Sequence, residues 1–113
     1  MAYDEHLAGR LRALLKRRRG VTERKMFGGL AFLVNGHMAV GVNDDELMVR
    51  LGPDAWAEAL RRPHAREMDF TGRSLKGFVY VGRKGVASDA DLKAWAELGV
   101  KFARSLPPKP DKT

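Results

Sequence analysis

Apolar and polar positions change period several times along this chain, and each change marks an element. Leu7, Leu11, Leu14 and Leu15 recur at helical spacing, with Asp4 placed to cap the start, basic residues in the last turn and Gly20 just beyond. They predict a first helix. The period then shortens toward two. A short strand is expected near residues 23–27, able to run on through Gly28-Gly29 into 30–34, with a partner at 37–42. Asn35-Gly36 between two β-rich runs is the sequence of a type I′ turn, whose central residues both need positive φ. The two runs are therefore antiparallel neighbours. Asn43-Asp44-Asp45 makes a polar turn into residues 46–51, where Leu47, Val49 and Leu51 alternate with Met48 and Arg50, completing a meander.

Gly52-Pro53 opens a short helix, with Asp54 and Glu58 toward the positive end of its dipole, and Pro63 closes it. Trp56 and Leu60 are its inward anchors. Residues 67–70 and 76–81 read as two strands around Thr71-Gly72-Arg73-Ser74. Ser88 caps a last helix with Asp91 three residues on, close to a capping box. Its buried stripe is Leu92, Trp95, Gly99, Phe102 and Leu106, and Pro107-Pro108 ends it. The order helix, three strands, helix, two strands, helix predicts an α+β two-layer sandwich with an antiparallel sheet of about five strands. Residues 1–106 form one domain in this reading, and 107–113 a proline-rich, disordered tail.

A chain of 113 residues fits one domain with one core, and 44% hydrophobic with 31% charged residues is ordinary for a soluble protein. The absence of cysteine removes disulfides and thiolate chemistry and suits a reducing cytoplasm. No apolar run approaches the roughly 18 residues of a membrane span, and Asp4 and Glu5 do not suit a signal peptide. A soluble cytoplasmic protein is expected. Its charge is concentrated. Residues 10–25 hold eight basic groups against Glu23 alone, which accounts for the whole net charge of +7.

Within that segment Arg12, Lys16 and Arg19 fall on one flank of the leucine stripe, and Arg10 and Arg17 on the other. Arg12, Lys16, Arg17, Arg19, Arg24 and Lys25 are candidate contacts for an anion or a nucleic acid. The ordinary structural reading is that such residues complement the helix dipole and keep one face solvated. No aromatic residues interleave with them, as a single-strand stacking platform requires. Gly82-Arg83-Lys84-Gly85 shares the Gly-x-x-Gly form of KH loops but follows a strand instead of joining two helices. Arg83 and Lys84 remain candidate anion contacts. There is no Gly-x-Ser-x-Gly elbow, and His6, His37 and His64 lack metal-ligand spacing. Asp44, Asp45 and Glu46 crowd a turn instead of spreading over an EF-hand loop. No catalytic residue, metal or cofactor is expected.

Arg24-Lys25-Met26-Phe27-Gly28-Gly29, followed by an apolar strand, a tight turn, a second apolar strand and an acidic turn, resembles the amino-terminal domain of the TfoX/Sxy competence regulators. The resemblance runs from the first helix to about Leu106. It implies a small α/β domain acting through other proteins at promoters and not by chemistry. Two-domain members continue into a helical carboxy-terminal domain, whose role is not carried over to a sequence ending at Thr113. Read from the residues, Met26 and Phe27 are core and the glycines serve a bulge or a close approach of backbones. The expected function is a non-enzymatic regulatory domain working through a protein partner. The alternative is weak, sequence-insensitive nucleic-acid binding by the basic first helix. Residues 78–81 are apolar on both faces of their strand, and Leu33 opposes Leu30, Phe32 and Val34 in parity. The sheet should thus carry a second apolar face, open to a homodimer or a docked partner.

Overall fold

The structure is a computed structural model, and it describes residues 3–26, 28–70 and 73–107. Helix α1 (Glu5–Leu15) starts where expected, because the Asp4 carboxylate accepts from the backbone N–H groups of His6 at 2.8 Å and Leu7 at 3.3 Å. Leu7, Leu11 and Leu15 are buried and Leu14 half-buried. The chain continues through β1 (Val21–Met26), β2 (Gly29–Val34), β3 (His37–Asn43), β4 (Glu46–Arg50), α2 (Pro53–Leu60), β5 (Ala65–Phe70) and β6 (Arg73–Val81). A 3-10 turn (Arg83–Val86) leads into α3 (Asp89–Ser105), capped by the Ser88 hydroxyl accepting from the N–H of Asp91 at 3.1 Å.

All strand pairs are antiparallel, in the order β1-β2-β3-β4-β6-β5. The α+β class holds, with a correction to the strand count. Residues 21–26 do not run on into the next strand; they fold back against it, with Val21 opposite Val34 and Met26 opposite Gly29. Gly28, at φ +75°, is part of the reversal. Four strands therefore precede α2, where three were expected, and the sheet has six. The Asn35-Gly36 turn has φ of 54° and 85°, as a type I′ turn needs. In the second hairpin Arg73 and Ser74 belong to β6, while Thr71 and Gly72 lie outside the described residues.

The helices cover one face of the sheet. Leu30, Phe32, Val34, Val40, Val42, Leu47, Val49, Val79 and Val81 pack there with the leucines of α1 and with Leu92, Trp95, Ala96, Val100 and Ala103 of α3. Phe102 and Leu106 are only half-buried, and Leu106 lies beyond the helix end. Close docking of α3 depends on Gly99, where a Cβ would strike the backbone carbonyl of Ala39. Ala39 is itself the extra residue of a bulge, since Phe32 pairs with Val40 and Leu33 with Met38. In α2 the fully buried anchor is Ala59; Trp56 and Leu60 are half-buried, and the Trp56 indole donates to the Phe78 carbonyl at 3.0 Å.

The second face carries its own apolar cluster of Ala31, Leu33, Met38, Met48, Met68 and Tyr80, each at most 8% exposed, with Phe78 beside it. The guanidinium of Arg66 lies 4.7 Å from the Tyr80 ring centre and that of Arg50 5.7 Å from Phe78. The expected apolar face thus exists, but among the described residues it is closed within one chain. The dimer inferred from an open patch loses that support. Of the proline-rich tail only Pro107 is described, its carbonyl accepting from His37 Nε2 at 2.6 Å; residues 108–113 lie outside.

Candidate partner-binding surface

The basic residues of α1 and the following turn divide into two sets. Arg10 reaches the Asp89 carboxylate at 3.2 Å and the Ala87 carbonyl at 3.3 Å, tying α1 to the start of α3. Arg12 grips Glu23 of β1 through Nε at 2.6 Å and Nη2 at 3.0 Å. Arg18 forks onto Glu97 of α3, with Nη1 at 3.1 Å and Nη2 on the second oxygen. These hydrogen bonds hold the Glu23 and Glu97 carboxyls below their usual range and raise the Arg12 and Arg18 guanidiniums above theirs, outweighing the opposing effect of burial. Arg104 adds a bond to the Arg19 carbonyl at 3.1 Å. These arginines brace α1 against its neighbours.

Lys16, Arg17, Arg19, Arg24 and Lys25 form the other set. All are exposed, and none of their side chains meets a carboxylate among the described residues. Lys16 borders a cleft of about 220 Å³ between α1 and β1, together with Arg12, Leu15, Val21, Thr22, Glu23 and Phe32. On β1 the register places Arg24 opposite Ala31, toward the second face, and Lys25 opposite Leu30, toward the helix face. The unpaired cations therefore wrap both sides of a strand at the end of the sheet. Arg12, a candidate anion contact in the sequence, is paired with Glu23. That pairing depends on β1 folding back against β2 at the edge of the sheet, which the sequence does not mark.

Arg83 and Lys84 are exposed but sit elsewhere, lining a cleft of about 320 Å³ at the start of α1 with Asp4, His6, Arg10 and Asp45. The candidate cations do not form one site. Their turn joins β6 to α3 and is pinned by the Gly82 N–H on the His64 carbonyl at 2.9 Å, unlike a helix-to-helix KH loop. In the Met26-Phe27-Gly28-Gly29 motif, Met26 ends β1 and Phe27 lies outside the described residues. Gly29 is buried where a Cβ would strike the Val42 carbonyl, which is the close backbone approach expected of it. Among the described residues no cluster of His, Asp and Glu is arranged to hold a metal ion.

The family model for the TfoX N-terminal domain matches residues 13–103. No curated protein and no solved structure matches the chain.

Proposed function

The chain belongs to the TfoX N-terminal domain family, a non-enzymatic regulatory module acting through protein contacts, and we propose that it docks an acidic partner protein where α1 meets β1. The observation that carries this is the contrast between neighbouring cations. Arg10, Arg12 and Arg18 are each paired with a carboxylate of the same chain, whereas Lys16, Arg17, Arg19, Arg24 and Lys25 face solvent without one among the described residues. Crowded like charges repel one another, and an acidic surface relieves that repulsion while speeding encounter. Cations on both sides of a strand, without interleaved aromatics, suit a protein better than a nucleic-acid groove. Among the described residues no helix is long and apolar enough to cross a membrane. The cysteine-free sequence supports work in the reducing cytoplasm.

Affinity capture from the native cell, comparing the wild type with a K16Q/R17Q/R19Q variant and identifying bound protein and nucleic acid alike, tests the reading. Retention of an acidic protein by the wild type and its loss from the variant is the expected result. Retention of nucleic acid alone, with affinity collapsing as salt rises, would replace the protein partner with a phosphate backbone.

A further inference from the structure

We propose that β1 is a docking edge to which an extended acidic segment of a partner protein adds as a further strand. The inference rests on the acidic-partner reading and specifies its geometry. Strand β1 ends the sheet, and nothing described pairs with its outer side, so alternate residues turn backbone N–H and C=O groups to solvent. It is also regular: every residue from Val21 to Met26 pairs in step with β2. The Asn35 N–H extends that pairing to the Gly20 carbonyl at 3.0 Å, and Arg12 holds Glu23 from behind. The other edge, β5, differs. Its register slips between Glu67 and Asp69, and Arg66 is tied to Glu46. A slipped edge is a poor template for another strand.

Charge selects the occupant. Strong edge charge commonly guards a sheet against aggregation, and here it disfavours a second copy of the chain. An antiparallel pairing centred on Arg24 sets Arg24 against Arg24, and one centred on Glu23 sets two glutamates together. A strand with carboxylates on both faces meets Arg24 on one side and Lys25 on the other, with Lys16 near Thr22.

The test uses the full chain, isotope-labelled, and a synthetic acidic peptide of glutamates and valines, capped at both ends. Two controls accompany it: the same peptide N-methylated at alternate residues, and one with lysine in place of glutamate. The acidic peptide should slow hydrogen exchange of alternate amides in residues 21–26 at least tenfold, and both controls should fail. Equal binding by the N-methylated peptide, with β1 amides unprotected, would overturn strand addition while leaving an acidic-partner surface standing. Protection confined to β5 would also overturn it. If the acidic peptide binds the wild type no better than K16Q/R17Q/R19Q/R24Q/K25Q, the partner reading falls along with its geometry.

Discussion

The two faces of the sheet are both apolar, yet they are closed by different means. On one, branched aliphatic residues and Phe32 interlock with helices, a packing of fixed shapes. On the other, small residues and methionines fill the space. The Met48 side chain lies over Gly41, where a Cβ would come within 2.8 Å of its Cε, and Arg50 and Arg66 extend across Phe78 and Tyr80. The first face is specified by shape and the second by adaptable side chains. A face without a helical layer can thus be closed to water, so apolar residues on both sides of a strand do not by themselves announce a partner.

The comparison breaks most readily at Phe32. Phe32→Ala should destabilise the fold by about 3–5 kcal/mol in denaturant unfolding, because rigid neighbours leave a cavity. Met48→Ala on the second face should lie near the lower end of the range for such truncations, about 2 kcal/mol, since flexible neighbours can partly refill the space. Equal losses at the two sites would show that the faces are packed alike. Gly99→Ala tests the junction of α3 with the Ala39 bulge; overpacking there should cost about 1–3 kcal/mol. Arg66→Gln removes a cation over Tyr80 and should lower stability by about 0.5–1 kcal/mol.

The smallest effect concerns pH. The Glu23 and Glu97 carboxyls titrate below their unfolded values, so their stabilisation is present above the ordinary carboxylate range and disappears as pH falls through the folded values. Both pairs are partly exposed and solvent-screened. Glu97→Gln should cost under about 1 kcal/mol at neutral pH and flatten the acid limb of a stability profile.

Features written in neighbouring residues were legible in the sequence: the Asp4 and Ser88 caps, the leucine stripe and the Asn35-Gly36 turn. A strand near residues 23–27 was legible too, but not its folding back as a separate edge strand, because with only Val21 half-buried among exposed residues 22–25 it shows no apolar alternation to set its place. The place of β6 between β4 and β5 is a long-range choice with no local mark. At the candidate surface, exposure of Lys16, Arg17 and Arg19 followed from the stripe beside them. The commitment of Arg18 to Glu97 depends on a residue 79 positions away.

That separation bears on how the protein is made. Helix α1 leaves the ribosome before the sheet, yet three of the braces on it and its following turn, Arg10 on Asp89, Arg18 on Glu97 and Arg104 on the Arg19 carbonyl, require α3, which emerges only after the whole sheet. Until then the leucine stripe lacks its final cover, and contacts of such high sequence separation close slowly. The nascent chain is therefore expected to offer a sticky, basic amphipathic helix to chaperones until α3 has emerged.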